Sequence, residues 1–227
     1  MNYKKPAAFT ALTLLVAAGL AFVATRQTTV EAADHLDPPA RTGDALGAAR
    51  DVNADIADVY AWHRGEGAAR TAVLAMTFAG PNAPAADQAT PCDRNVLYSV
   101  HIDSNETDGV APTSTIEMRL GEDSEGNCFY SITGVPGAGA DPIVGAVGFE
   151  TRRGTAKAYV GLRSDAFFFD LQGFRETLTT GTLSFVNDRD FFAGKNTSVM
   201  VVEVPLVGVS PTDAPFRVWG TTARFGS

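Results

Sequence analysis

The stretch VLYSVHI, residues 96–102, decides the fold class because apolar and polar side chains alternate along it. In an extended strand, neighbouring side chains point to opposite faces, so its large apolar residues share one face. That face consists of Val96, Tyr98, Val100 and Ile102. The other face carries Leu97, Ser99 and His101. The pattern predicts a strand with one strongly buried face.

Seven further stretches have strand character, most of them with the same period of two. They are residues 56–62, 71–79, 116–120, 128–133, 156–162, 198–206 and 216–222. Segments rich in glycine, proline, asparagine and aspartate separate them, such as GPNAPAADQATP at 80–91 and GVPGAGADP at 134–142. Many short strands joined by such turns predict an all-β fold, mainly an antiparallel β-sandwich.

One segment, SDAFFFDLQGFRETL at 164–178, breaks the strand pattern. Its large apolar residues fall near the spacing of a helix face: Phe167, Phe168, Leu171, Phe174 and Leu178. Ser164 is of a type preferred at a helix N-cap, and acidic residues follow it. Gly173 weakens the prediction because glycine disfavours a helix interior. We predict one or two short helical segments, packed on the sandwich by phenylalanine burial.

The N-terminal residues have the order of a secretory signal. Lys4 and Lys5 precede an apolar run at 7–24, and a polar stretch then leads to Ala32. We predict that residues 1–32 are a signal peptide cleaved near Ala32. The alternative is an uncleaved anchor, because the apolar run is near the ~18 residues that span a bilayer.

Cleavage leaves residues 33–227, enough for a single β-sandwich domain with a hydrophobic core. Residues 33–54 are rich in alanine, aspartate and proline, so we expect an extended N-terminal arm there. No membrane span is expected after signal cleavage. Removing residues 1–32 takes away three basic residues and one acidic residue, so the net charge falls from −8 to −10. This acidic balance and the lack of a basic patch argue against nucleic acid as a partner.

The two cysteines, Cys92 and Cys128, are an even pair in a chain predicted to be exported. Such a pair predicts one disulfide, because the compartments outside the cytoplasm are oxidising. The alternative is two buried free thiols.

Six stretches in order resemble the secreted bacterial proteins of domain-of-unknown-function family 4331. They are DHLDPPARTGD (34–44), NADIADVYAWH (53–63), NVLYSVHIDSN (95–105), GLRSDAFFFDLQGF (161–174), FFAGKNTSVMVVEVPL (191–206) and FRVWGTTAR (216–224). The similarity covers most of the chain after the signal. It implies a β-rich exported domain, and it brings no established activity with it.

The sequence HIDSNETDG, residues 101–109, places an acidic loop directly after the predicted strand. Calcium prefers six to eight oxygen ligands on a tight loop. Asp103, Asn105 and Asp108 supply such oxygens, and we interpret them as a candidate calcium site. A second acidic turn, GEDSEGN at 121–127, adds Asp123 or Glu125 if the next hairpin folds alongside. The alternative is a solvated turn without metal.

Histidines offer a different metal chemistry. His35 and His101, with Asp37 or Asp103, are the ligand types that hold zinc, copper or iron. Convergence of the three histidines, which include His63, depends on the fold. The alternative for His101 is an imidazole that anchors its neighbours by hydrogen bonds.

Glu203 lies in the apolar strand VMVVEVPL, on the face of Val199 and Val201. A carboxylate among valines requires a partner, an exposed edge or a raised pKa. Arg163 and Arg224 are the candidate partners for an ion pair, and the alternative is a catalytic carboxylate.

Two further acidic residues, Asp55 and Asp58, flank the entrance of a predicted strand. We expect them to cap turns or to pair with arginine. No nucleophile elbow, phosphate-binding loop or dinucleotide-binding glycine pattern occurs.

The sequence favours a non-catalytic, exported β-sandwich that acts as a binding or structural module. Calcium is the proposed stabilising ion, and loops at one end of the sandwich are the expected contact surface. A polysaccharide, an envelope protein and a second copy of the chain remain open as partners, in the periplasm or outside the cell. The alternative is an extracytoplasmic metalloenzyme or redox protein with a transition metal at His35 and His101.

Overall fold

The computed structural model describes residues 50–104 and 111–225. Within these ranges the chain forms ten strands and one α-helix. The strands are β1 (Ile56–Arg64), β2 (Thr71–Asn82), β3 (Val96–Asp103), β4 (Ser114–Glu122), β5 (Cys128–Thr133), β6 (Ile143–Ala146), β7 (Glu150–Arg153), β8 (Ala156–Ser164), β9 (Asn196–Pro205) and β10 (Arg217–Arg224). The helix is α1 (Leu171–Thr180).

The strands form two antiparallel sheets of five strands each. Sheet 1 has the order β1-β2-β9-β8-β7, and sheet 2 has the order β10-β3-β4-β5-β6. The predicted all-β, mainly antiparallel sandwich is therefore confirmed, and all eight predicted strands occur. The prediction missed β6 and β7, which have four residues each and lie at the sheet edges. Four residues are too few to show a clear period of two.

The core lies between the two sheets and consists of side chains from their inner faces. The four predicted core residues of β3 are fully buried there, together with apolar residues of β2, β4, β8 and β9. The Tyr98 ring lies 4.4 Å from that of Phe78 in sheet 1. Its hydroxyl donates a hydrogen bond to the Asn53 carbonyl at 2.6 Å. The buried phenol thus satisfies its polar atom while it joins the sheets.

The described end of the predicted N-terminal arm is not extended, because Val52–Ala54 forms a single 3-10 turn. This turn packs against sheet 2, where Thr222 donates a hydrogen bond to the Ala54 carbonyl at 2.7 Å. Next to it, the Arg224 guanidinium binds Asp51 and also Asp93, the latter at 2.8 Å. This ion cluster fastens the start of the described chain to its last strand.

Between β8 and β9 the chain leaves sheet 1 for residues 165–195, called the excursion below. It contains α1, so the prediction of a short helix in this segment is confirmed. The predicted N-cap is wrong, because Ser164 ends β8 and Asp170 caps the helix instead. Gly181 ends the helix in the left-handed conformation that glycine adopts readily. Within the described residues, no helix is long and apolar enough to cross a membrane.

The excursion leaves sheet 1 at the end of the sandwich opposite to Asp103, the last residue of β3. Ser164 pairs with Asn196 where the excursion leaves and rejoins sheet 1. Phe78 pairs with Ser198 beside this point, and its ring meets Tyr98 near the start of β3. The end of β3 at Asp103 therefore lies at the other end of the molecule.

The predicted disulfide between Cys92 and Cys128 is confirmed. It joins the segment before β3 to the first residue of β5 and closes a loop with a sequence separation of 36 residues. Both cysteines are packed against the core. The bridge therefore ties the long β2–β3 connection to sheet 2.

We expect the double variant Cys92→Ala/Cys128→Ala to lower the free energy of unfolding by about 3–4 kcal/mol, because the open loop gains conformational freedom in the unfolded chain. Urea denaturation followed by tryptophan fluorescence measures this change. The wild-type chain, unfolded under reducing conditions, is the control and should match the variant. Equal stability of the oxidised wild type and the variant would contradict the assignment.

Candidate functional site

The first residue of the predicted calcium site, Asp103, is almost fully buried at the end of β3. Arg217 lies directly opposite it on β10 and donates a hydrogen bond to its carboxylate. Asn105 and Asp108 lie outside the described residues, so the calcium site stays a prediction. Among the residues that the structure describes, no group of three or more potential metal ligands is found. A calcium ion at Asp103 has to be accommodated beside a guanidinium.

The second acidic turn does not contribute to that site. β4 begins at Ser114, opposite Ile102, and ends at Glu122, so Asp123 and Glu125 follow its far end. Eight strand steps of about 3.4 Å separate the two ends by about 27 Å. The Asp123 carboxylate instead accepts the backbone N–H groups of Glu125 and Asn127, both at 2.9 Å. Asp123 therefore caps its own turn. The hydrogen bond from the Asn127 side chain, and then the backbone N–H bonds, lower the pKa of Asp123.

His101 lies on the outer face of sheet 2 and binds its neighbours with both ring nitrogens. Nδ1 is 3.0 Å from Thr115 Oγ1 on β4, and Nε2 is 2.7 Å from Thr221 Oγ1 on β10. The ring also stacks on Trp219, with the centroids 5.3 Å apart. The expected hydrogen-bonded imidazole is therefore confirmed.

The transition-metal alternative also requires His35, which lies outside the described residues, as does Asp37. That alternative stays a prediction. His63 lies in the other sheet, on the exposed end of β1. A metal at His101 has to displace at least one threonine hydroxyl from the ring.

Glu203 forms the expected ion pair, but with Lys157 and, at 3.9 Å, with Arg64 of β1. The register of β8 and β9 places Lys157 directly opposite Glu203, and its Nζ donates to the carboxylate at 2.9 Å. Thr71 Oγ1 of β2 donates at 2.9 Å from the other side. The predicted partners are wrong: Arg163 lies opposite Thr197, and Arg224 is in sheet 2. The bond from Lys157 lowers the pKa of Glu203, so this carboxylate is an anion at neutral pH.

The other two acidic residues singled out in the sequence, Asp55 and Asp58, form contacts at the start of β1. Asp58 accepts a hydrogen bond from the Tyr60 hydroxyl at 2.7 Å, and its backbone N–H donates to Thr77 Oγ1 at 2.9 Å. Burial, and then this bond to Asp58, raises the pKa of Tyr60. Asp55 is buried at the start of β1, where its carbonyl accepts the N–H of Ala79. Asp58 thus stabilises the start of β1 through its carboxylate, whereas the contact of Asp55 with Ala79 uses its backbone carbonyl.

The most distinctive site of the molecule is the excursion, which depends on Asp170. Its carboxylate accepts the N–H of Gly173 at 2.9 Å as the helix cap and the N–H of Val186 at 2.9 Å. Arg189 binds the same carboxylate with Nε at 2.6 Å and Nη2 at 2.8 Å. The Arg189 guanidinium, more than the cap, holds the pKa of Asp170 well below its usual range. One side chain therefore connects both halves of the excursion.

Gly173 is part of the same arrangement. A Cβ atom there would lie 2.4 Å from Asp170 Oδ2 and 2.6 Å from the Ser184 carbonyl. The glycine that weakened the helix in the sequence is required because the return segment packs directly on this turn of α1. The sequence signal of this site is Asp170, the acid of DLQG, which falls inside the helix if Ser164 is taken as the N-cap.

The phenylalanine rings of the excursion pack mainly on each other. Phe167 contacts Phe169 and Phe192, and Phe169 contacts Phe174 and Phe185, with centroids 5.1 to 6.0 Å apart. None of the excursion's phenylalanines joins the core between the sheets. The prediction that these phenylalanines pack on the core of the sandwich is therefore wrong. The inter-sheet layer is already filled by the alternating side chains of the strands.

As a result, the excursion exposes an unusual amount of apolar surface. Seven of the fourteen large hydrophobic side chains that are exposed in the described part of the chain lie between residues 168 and 191. They are Phe168, Phe174, Leu178, Leu183, Phe185, Val186 and Phe191, called the apolar set below. Phe168 is 81% exposed and Leu178 is 69% exposed. A shallow groove of about 460 Å³ runs between α1 and Phe191.

Comparison with models of protein families, with curated proteins and with solved structures yields no match to this chain.

The ion pair of Glu203 generates a pH prediction. Because its pKa is lower in the folded than in the unfolded state, Glu203 stabilises the fold above the unfolded value, and this contribution is lost as the pH falls through the folded value. We expect Glu203→Gln to lower the free energy of unfolding by about 1–2 kcal/mol at neutral pH. The difference from wild type should shrink below about pH 4.3.

Urea denaturation of both proteins at a series of pH values measures this difference. Glu117→Gln is the control, because Glu117 is exposed on β4 and forms no ion pair within the described residues. It should change stability little at any pH. A Glu203→Gln difference that persists unchanged into acid would contradict the assignment.

Proposed function

We propose that the protein is an exported β-sandwich binding module whose contact surface is the excursion. The observation that carries this proposal is the apolar set. Its seven side chains are exposed on the excursion, whereas the core between the two sheets is buried and contains none of them. Exposed large apolar side chains that are concentrated in one segment are a common feature of interaction sites. Residues 165–195 are also a long connection, and long connections on a rigid scaffold carry function disproportionately.

The polar bonds of the excursion support the same proposal. Asp170, Arg189 and the threonine hydroxyls of α1 hold the segment in one conformation without any need for its apolar side chains to be buried. A preformed surface binds with less loss of conformational freedom than a segment that has to fold on contact. The excursion is therefore suited to recognition.

Export is part of the proposal. The disulfide is compatible with an oxidising compartment outside the cytoplasm. The resemblance to domain-of-unknown-function family 4331 supports the same location and remains a proposal about kinship.

We also retain calcium as a proposed stabilising ion at Asp103, Asn105 and Asp108. What supports it is the order of a rigid strand followed directly by an acidic loop. Elemental analysis of the purified chain tests it: about one calcium per chain is expected under this proposal, and a metal-free protein indifferent to chelation would contradict it.

The accessibility of the excursion is testable with the dye 8-anilinonaphthalene-1-sulfonate, which becomes fluorescent on apolar surface. We expect the folded chain, at high dilution, to enhance dye fluorescence, and Leu178→Ser to reduce this enhancement by roughly half or more, because Leu178 lies on the exposed side of α1.

Val207→Ser is the matched control, because Val207 is 66% exposed but lies outside the excursion. It should leave the fluorescence unchanged. Dye binding that is absent from the wild type, or equally lost in both variants, would refute the excursion as an open binding surface.

A further inference from the structure

We propose that the outer face of sheet 2 carries a second binding site, a groove over Gly121 that takes a sugar unit of an uncharged polysaccharide. This inference goes beyond the proposed function, because the residues that line this groove belong to β4, β5, β6 and the turn after β4, outside the excursion. It rests on a strand glycine that the fold does not require, placed beside an exposed phenyl ring, an arginine and two carboxylates.

The register of β4, β5 and β6 builds the groove. Gly121 lies directly opposite Phe129, and Ser131 lies between Arg119 and Val144. These positions share the outer face, because the alternate residues of the same strands fill the core. A groove of about 320 Å³ lies over them. Ligand pockets commonly have about 300–1,000 Å³, so the groove has room for a small group.

Gly121 is unusual among the strand glycines of the described residues. A glycine inside a strand weakens it and commonly marks a bulge, a bend or the close approach of another group. At four of the five strand glycines a Cβ atom would lie less than 3.0 Å from a neighbouring residue. These four are Gly80, Gly145, Gly161 and Gly220. At Gly121, no atom lies within 4 Å of the Cβ position.

The backbone does not require glycine at position 121 either. Gly121 is outside the left-handed region, and its pairing with Phe129 continues a regular ladder. The Phe129 ring does not cover it, since the space above it is open. A side chain at position 121 would fill the groove, whereas glycine leaves the backbone of β4 as a flat floor. We infer that this space admits a ligand that approaches the backbone closely.

The walls of the groove combine apolar surface with one fixed hydrogen-bond donor. Phe129 is 36% exposed and Val144 is 57% exposed. Arg119 is exposed as well, and its guanidinium lies 4.3 Å from the centroid of the Phe225 ring. This cation–π contact orients the guanidinium. A ligand in the groove therefore meets a phenyl ring, a methyl surface and a planar group of donors.

The charges at the groove favour an uncharged ligand. Arg119 is the base that lines it, and Glu122 and Asp123 are the acids. An anion would lie beside two carboxylates, and a cation would lie beside the guanidinium. Like charges placed together are costly. A neutral ligand that both donates and accepts hydrogen bonds can use Arg119 and Glu122 without this cost.

A sugar ring has this combination of properties. Its flat C–H face is apolar and packs on a phenyl ring, and its hydroxyl groups both donate and accept hydrogen bonds. The open groove suits a unit of a polymer better than a small free ligand, which proteins usually enclose on most sides. Beyond the groove the outer face continues with the exposed side chains of Glu117 and Thr133, which later sugar units can contact.

Affinity electrophoresis of the purified chain in native gels tests the proposal. The gels contain hydroxyethylcellulose, arabinoxylan or galactomannan, which are uncharged, or polygalacturonate, which is anionic. We expect at least one uncharged polysaccharide to retard the wild type, and polygalacturonate not to. Gly121→Val should raise the Kd by about tenfold or more, because its side chain fills the groove. Arg119→Ala should raise it by about tenfold, because charge-assisted hydrogen bonds are lost.

Two control variants should bind as the wild type does. Ala61→Val adds apolar bulk at an exposed strand position of sheet 1. Leu178→Ser changes the excursion. Urea denaturation should show that Gly121→Val is at least as stable as the wild type, because valine favours strands and the space is open. If Gly121→Val is unstable instead, Arg119→Ala decides the test.

Three outcomes would overturn the proposal: no retardation by any of the uncharged polysaccharides, retardation by polygalacturonate alone, or wild-type binding by both groove variants. Each of them leaves the dye assay of the excursion unaffected. Polysaccharide binding that is lost in Leu178→Ser but kept in Gly121→Val would also overturn it, and would assign that ligand to the excursion.

Discussion

The four hydrogen bonds that converge on the Asp170 carboxylate hold the excursion in place. They come from the cap of α1, from the return segment at Val186 and twice from Arg189. A carboxylate that is saturated by such donors, with a guanidinium among them, forms stronger bonds than neutral groups do. Gly173 provides the space in which the carboxylate and the arginine meet. The shape of the surface proposed for binding therefore follows from this one polar contact.

The need for a polar contact follows from the way the sandwich is filled. Alternating side chains of the two sheets occupy the layer between them, including Phe78 and Tyr98 at the excursion end. The phenylalanines of the excursion find no place in that layer and cluster on each other. Some of them remain exposed, as Phe168 does. Apolar exposure at this level is compatible with a stable monomeric fold but favours contact with a partner.

The sequence predicted features that depend on local pattern. The period of two located eight strands and the buried face of β3, and the even cysteine pair predicted the disulfide. Contacts that depend on the register between distant strands could not be predicted from the sequence. Lys157 faces Glu203 only because β8 pairs with β9 in one register. The short edge strands β6 and β7 carry too few residues for a period to show.

The candidate site was predicted only in part for the same reason. The aromatic run at 167–169 identified the excursion as different from its surroundings, but its exposure depends on the filled core. Asp170 as a cap and Arg189 as its partner are separated by 19 residues, and no local pattern links them. The sequence allowed the turn at 121–127 to lie beside Asp103, whereas β4 places Asp123 and Glu125 after its far end.

Hydrogen–deuterium exchange of the wild type and of Asp170→Asn, measured by mass spectrometry, tests most directly whether one carboxylate holds the proposed binding surface in place. The account predicts that backbone amides within 166–192 exchange faster in the variant, because the bonds from Gly173, Val186 and Arg189 to this side chain weaken. Amides of the central strands β3 and β4 should exchange equally slowly in both proteins. Exchange within 166–192 that is the same in both proteins would contradict the account.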